Sequence, residues 1–445
     1  MNNEVLRPDR RKSRFSGYLR AGVAVAVAGA LLSVIDVPEA AAESQAQVAG
    51  PARGKGVKER QQERKTGDEF KPIGARVGAF QFFPSLEVDI EYGDNIFATQ
   101  TGGQGDFLTR IRPEFALKSD WNNHELNLKA APEVIRYYRF TADSVENYDF
   151  SADGRIDVLR ALKVDLDASY ALGNEDRGNP NAVASASSPT KTKTTKAHVG
   201  MEWKPAWVSL SIDGDFTDSD FKDVTNRDTT ITNNDDRDRD KKEITVRLGR
   251  EYPPATEMFV RASYNIINYN DGVDDAGLNR DSDGYEIVVG TDLDFTGIVT
   301  GNVFGGYISQ KYDAATLEAI AGPTVGASVN WDATPLMSVK GTVVRSIQQT
   351  TTGNSPGFVS SFASIKVDYE ILRQLTASAK IKGTVQDYES IARRDRLLDF
   401  DIGAEYLFNR NFSAKLKYAY KRKTSDAAGL AYTQNTILLS GRAQF

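Results

Sequence analysis

From about residue 77 to residue 445 the chain alternates apolar and polar positions in repeated runs. Each pair of runs is joined by a tight turn and followed by a hydrophilic loop. In the clearest run, Leu375, Ala377, Ala379, Ile381, Gly383 and Val385 interleave with Thr376, Ser378, Lys380, Lys382, Thr384 and Gln386. Strand side chains point alternately to opposite faces, so one face of such a run is suited to lipid and the other to water. The same period of two runs through Leu162 to Leu172, Val208 to Phe216, Leu398 to Phe408 and Phe412 to Tyr420. A soluble sheet with one wet face alternates in the same way, so no single run separates the two cases.

The connections separate them. Tight turns centre on Asn122, Arg160, Pro205, Pro254, Gly297, Thr334, Arg373 and Arg410, roughly 40 residues apart, as two strands and a loop require. Between them lie long hydrophilic stretches near 93–106, 140–147, 173–194, 219–241, 270–283, 312–321, 350–357, 389–395 and 423–431. This asymmetry predicts a closed antiparallel up-and-down transmembrane β-barrel of about 18 strands (16–18), with short periplasmic turns and long extracellular loops. Trp121, Trp203, Trp207 and Trp331, with Phe408 and Phe412, fall beside the short turns. Amphipathic rings favour the headgroup level, so these residues read as a periplasmic aromatic girdle. Ile437, Leu439, Gly441, Ala443 and Phe445 share one face of a last strand. Phe445 is the expected signal to the barrel assembly machinery, and pairing of first and last strands removes both sheet edges.

The N-terminal region adds a compartment. Arg10, Arg11, Lys12, Arg14 and Arg20 precede the apolar run Ala21 to Ile35 and then Ala40, Ala41 and Ala42. Residues 1–42 therefore read as a secretory signal peptide, because the apolar run is shorter than the ~20 residues that span a bilayer. The polar stretch 43–76 is expected to be a disordered periplasmic segment, and 77–445 the barrel. Mean hydropathy is −0.44, and beyond Ile35 no apolar run is long enough for a spanning helix.

Composition narrows the chemistry. The absence of cysteine excludes disulfides and thiolate sites, and His124 and His198 are the only histidines. Both are expected to be ordinary polar surface residues, His198 at the start of a strand. A net charge of −6 gives no reason to expect nucleic-acid binding. No cofactor, metal site or catalytic residue is predicted. The run Asn279 to Gly284 imitates the opening of a calcium loop, but position 12 of that template falls on Gly290. The loop from Asp218 to Lys242 reads as simply solvated.

The stretch Gly284 to Val339, with its GGY, KYD and NWDATPL elements, and the opening strand Phe82 to Thr99 resemble the outer-membrane β-barrel porins often encoded beside exopolysaccharide synthesis genes. The resemblance covers nearly all of the chain after residue 75. It implies an outer-membrane location in a Gram-negative bacterium and, less directly, exopolysaccharide traffic; no catalytic or binding motif defines the family.

A barrel of about 16 to 18 strands encloses an aqueous lumen, so inward residues form the functional surface. Alternation places Glu87, Asp89, Asp165, Asp167, Glu202, Asp213, Asp215, Asp399, Asp401 and Glu405 inside. Arg247, Arg261, Lys340, Lys380, Lys382, Lys415, Lys417 and Arg442 join them there. Two readings follow: acids of the first seven strands face bases nearer the C-terminus and set a transverse field, or Asp399 and Asp401 pair with neighbouring lysines and stiffen the wall. The leading expectation is a passive channel for small hydrophilic solutes or saccharides, possessing outer-membrane lipid and polysaccharide export components as partners. The rivals are a non-conducting barrel that docks an export assembly and an outer-membrane hydrolase. A secreted β-propeller is the structural rival, its blades being about as long as the turn spacing.

Overall fold

The computed structural model describes residues 68–252, 256–295 and 297–445. The expected signal peptide, the polar stretch up to residue 67 and the expected turn centre Pro254 lie outside the described residues.

The wall begins with β1 (Phe80–Gly93), β2 (Asp106–Ser119), β3 (Glu125–Tyr137), β4 (Val145–Leu159), β5 (Leu162–Asn174) and β6 (Lys191–Trp203). It continues through β7 (Val208–Phe221), β8 (Arg239–Tyr252), β9 (Thr256–Tyr269), β10 (Ser282–Phe295), β11 (Val299–Tyr312) and β12 (Ile320–Thr334). The last third is β13 (Met337–Gln349), β14 (Gly357–Leu372), β15 (Leu375–Tyr388), β16 (Arg394–Leu407), β17 (Phe412–Ser425) and β18 (Tyr432–Gln444). Each strand pairs antiparallel with its chain neighbours, and β1 pairs with β18 from Ser85 opposite Gln444 to Gly93 opposite Thr436. The sheet is thus a closed barrel of eighteen strands, not a propeller. At the seam the Phe445 N–H donates to the Pro84 carbonyl at 3.1 Å.

Six of the expected turn centres fall between strands. Thr334 instead ends β12, and the turn lies one or two residues further on. All nine expected long connections are loops at the opposite end. Residues 68–76, expected to be disordered, are a correction: Asp68–Phe70 is a short helical turn and Ala75–Val77 pairs with Val77 opposite Phe80 and Ala75 opposite Phe82. Backbone pairing with β1 orders the segment despite its polar composition.

Alternation sorts the wall into two faces. On β1 the side chains of Val88 and Ile90 are exposed, and Asp89 between them is 0% exposed. Outward apolar positions have only the bilayer to meet; inward ones crowd against their neighbours across a concave surface. The exposed aliphatic and aromatic side chains recur on most strands, far beyond the scattered apolar residues of a soluble surface.

Among the described residues, and apart from bulges at three turn ends, the ladder is interrupted in two places. Between Ile111 opposite Val134 and Phe115 opposite Ala130, β2 and β3 do not pair. Register puts Pro113 against Pro132 there, and neither ring offers an N–H. The second interruption is larger. Strands β12 and β13 pair from their turn only as far as Gly326 opposite Val344, yet β13 remains paired with β14 up to Gln349 opposite Gly357. Above that level the β13–β14 hairpin leaves the wall. Ile347 and Val359 pack on Tyr312, Ile320 and Ile308, whose side chains project inward from β11 and β12. The hairpin tip therefore lies inside the barrel, with its nominally outward face against the inner wall.

Candidate functional site

The lumen contains four groups of side chains, each positioned by strand alternation. Beside the closing seam, Arg112 Nη2 donates to Glu87 Oε1 and Asp89 Oδ2, both at 2.6 Å. Arg110 reaches Glu91 at 3.1 Å and Glu133 at 3.2 Å, and Ser440 Oγ donates to Asp89 at 2.5 Å. Arg442 Nη1 stands 3.9 Å from Glu87. This network joins β18, β1, β2 and β3, and it corrects the expected segregation: arginines accompany the acids of the first strands. Arg155 does the same on β4, 2.9 Å from Glu125. Arg110 and Arg112 lie on the same period of two that located the acids, flanking Ile111, so the signal for them was present in the chain.

The second group occupies β5 to β7. His198 is the sixth residue from the turn end of β6, not a strand start, and it faces the lumen. Its Nδ1 is 2.9 Å from Asp215, and its Nε2 is 3.9 Å from Asp213 and 4.0 Å from Asp167. Asp165 stands opposite Gly200 and Arg155 in register, and Glu202 lies on the same face near the turn. Sequence alone could not bring these together, because only the β6 register aligns His198 with Asp167 on one side and Asp215 on the other. His124, by contrast, is structural: its N–H donates to Asp157 Oδ2, and the Asp157 N–H donates to its Nδ1.

On β8 to β11 the interior is packed. Arg247 bonds Glu257 and Asp292, each at 2.6 Å, and lies 4.2 Å over the Phe259 ring. Arg261 donates to Glu286 at 2.8 Å and lies 4.6 Å over Phe304. Phe259, Val288 and Phe304 form a buried cluster. Gly326 makes room for it: a Cβ there would meet the Phe304 ring at 2.1 Å.

The fourth group is lysine-rich and spans β13 to β17. Lys380 stands between Lys366 and Asp401 in register, and Lys366 stands opposite Lys340. Lys382 and Lys421 flank Asp399 in register. Asp401 binds Lys417 at 2.9 Å, and Lys415 lies opposite Glu405. Counted from the turn end, Asp167, Asp213, Lys380 and Lys417 are each the sixth residue of their strands. In the ring of eighteen, β6 and β15 are diametrically placed. The acidic group and the lysine group thus face each other at one depth.

Above them, the loop 175–190 crosses the mouth. Thr350 Oγ1 donates to Asn181 Oδ1 at 2.7 Å and Arg393 Nη2 to the Pro180 carbonyl at 3.4 Å, although these partners follow β5, β13 and β15, on opposite sides of the ring. Its base is held by Glu175 against Arg237 at 2.6 Å and by Arg177 against Asp143. The neighbouring loop from Asp218 to Lys242, expected to be simply solvated, is also packed: Asn234 N–H donates to Asp223 and its Nδ2 to the Lys222 carbonyl, and Asn234 and Arg237 are buried. In the calcium-like run, Asp281 accepts from the Tyr269 N–H at 2.7 Å, so its carboxylate closes a turn.

At the turn end, Trp121, Trp203, Trp207, Trp331, Phe408 and Phe412 are all exposed, and so is Phe445. Trp121 meets Phe80 edge-on at 5.5 Å, and Arg250 lies 4.6 Å over Trp207.

A model of the family described as "Putative beta-barrel porin 2" matches residues 68–445. The chain belongs to that family. It is a porin-like outer-membrane barrel, and the family is one of porins rather than enzymes. No curated protein matches this porin. Among solved structures, the outer membrane protein opdK from Pseudomonas aeruginosa is similar at 11% identity over 82% of this chain and 99% of its own, with a TM-score of 0.42. The siderophore receptor PirA from Acinetobacter baumannii is similar at 9% identity over 83% of this chain and 81% of its own, with a TM-score of 0.44.

Proposed function

We propose that this porin is a passive channel for small hydrophilic solutes, saccharides among them, whose selectivity arises where the acidic wall of β5 to β7 faces the lysine wall of β13 to β17. The opposition of these two walls at one depth is the observation that carries the reading. A dipolar solute crossing between them is oriented, and a sugar with a charged substituent is drawn to one side. The loop 175–190 narrows the mouth above. Reconstitution in a planar bilayer tests the proposal: stable conductance that added oligosaccharide blocks supports it, and a silent barrel argues against it.

The crossing of the mouth by 175–190 favours a second reading, a barrel of little conductance that docks an exopolysaccharide export assembly from the periplasmic side. Co-purification with export proteins, together with a closed lumen in the bilayer, would select that reading.

A further inference from the structure

We propose that the β13–β14 hairpin is a gate of the pore, closed when its tip lies in the lumen and open when β13 zips onto β12 to complete the wall. The proposal rests on the channel reading and adds the regulation of that channel.

The hairpin keeps the strand register that would let it rejoin the wall it has left. Continuing the register from Gly326 opposite Val344 would set Thr324 against Ser346 and Gly322 against Gln348. Ile347 and Val359 would then turn outward, with the Arg345–Ser361 pair on the same face one step nearer the turn, and Ser346, Gln348 and Ser360 would turn to the lumen beside Phe358 and Phe362. In the structure Ile347 is buried, and Val359 partly so, against Tyr312, Ile320 and Ile308. The tip is seated there with little spare room: a Cβ on Gly357 would stand 2.9 Å from Tyr312 Oη and 3.1 Å from Ile320.

Residues 320–325 of β12 have no partner strand on that edge, and an open edge inside a membrane protein calls for other hydrogen bonds. Thr324 Oγ1 supplies one, to the Arg345 carbonyl at 3.0 Å. Arg280 holds the connection beyond it. It is 2% exposed and donates to the carbonyls of Thr350, Ser355 and Gly353 at 3.0, 2.6 and 2.6 Å, with Asp274 on its Nε. The connection 350–356 is therefore latched by one arginine from the loop 270–281 and by Asn181 from the crossing loop. Two packings that each satisfy one hairpin make a two-state element.

The chain has no cysteine, so paired cysteines report the two states without background. Gly322→Cys with Gln348→Cys bridges only the zipped wall. No atom outside the adjoining residues lies within 4 Å of where a Cβ on Gly322 would stand, and a disulfide needs Cβ atoms about 3.8 Å apart. Ile320→Cys with Ile347→Cys bridges only the inward state, since zipping would put the two on opposite faces. Heat-modifiable migration on a detergent gel first confirms that each variant forms a barrel.

The expected result is that both pairs cross-link under mild oxidant, the zipped lock raising single-channel conductance severalfold over the inward lock, with reductant erasing the difference. Arg280→Met should speed the Gly322/Gln348 cross-link. The gate is overturned if that pair never bridges in folded protein, even with Arg280→Met, or if the two locked forms conduct equally. Both cross-links with no current in any form would instead overturn the channel reading and, with it, the hairpin's role as its gate.

Discussion

Inward positions from β5 to β7 are Asp165, Asp167, His198, Asp213 and Asp215, half-buried and polar. The equivalent positions from β9 to β14 include Phe259, Val288, Phe304, Phe358 and Phe362, all buried. Both sides obey the same period of two, yet one is the wall of an aqueous space and the other is a hydrophobic core. The difference follows from what each side faces. On the packed side Phe259, Val288 and Phe304 cover one another beneath Arg247 and Arg261, and higher up the inward-folded β13–β14 hairpin covers Tyr312 and Ile320, so apolar side chains there leave water. Where no strand folds inward against the wall, inward side chains stay partly in water and many are charged.

Truncation on the packed side is the severest way to break this contrast. Phe304→Ala should cost about 3–5 kcal/mol, the usual loss for a buried Phe, seen as a lower urea midpoint in detergent. The matched change on the open side, Asp213→Asn, should stay within about 0.5 kcal/mol; equal losses would show that both sides are core. Next is the closing seam, where Asp89 is buried among Arg110, Arg112 and Ser440. Asp89→Asn leaves the arginines short of a buried partner and should cost about 3 kcal/mol, lowering the temperature at which the barrel unfolds on a gel.

Selectivity sharpens the comparison without touching stability. Lys380→Gln with Lys417→Gln should move the reversal potential in a salt gradient toward cation preference, and Asp167→Asn with Asp213→Asn the other way. Identical shifts from both pairs would remove the opposed-wall argument.

The smallest effect is at the loop end. Burial, then Asp275 and Asp274, pushes the Asp236 carboxyl up to about 6, above its ordinary 3.8; Arg237 and Arg280 pull the other way. A raised acid pKa means that the folded loops hold the proton more tightly than the unfolded ones. The stability this lends is whole below the ordinary value and is lost as pH rises through about 6. Corrected hydrogen exchange of 222–238 and 270–281 should therefore show less protection above that pH than below it, and Asp236→Asn should abolish the dependence.

Much of the barrel was legible in the chain because each of its signals is local. Turn and loop lengths, a period of two and rings beside short turns are properties of neighbouring residues, and they sufficed for eighteen strands and for Asp213 and Lys380 on the same kind of face. His198 was misread because its neighbours in sequence are a loop and a Lys/Thr run, whereas its neighbours in space come from β5 and β7. The loop from Asp218 to Lys242 was misread as solvated because its polar side chains bond one another, which composition cannot reveal.

The amino-acid sequence by itself determined the closed barrel, its asymmetric ends and the alternation of its wall, since these follow from backbone geometry and from which side chains tolerate lipid. Tertiary structure alone decided which inward residues meet across the lumen, that 175–190 spans the mouth, and that the β13–β14 hairpin lies inside. Those outcomes depend on contacts between segments far apart in the chain. Ile347 has the same outward pattern whether it meets lipid or Ile320, and only the packing of the folded molecule chooses.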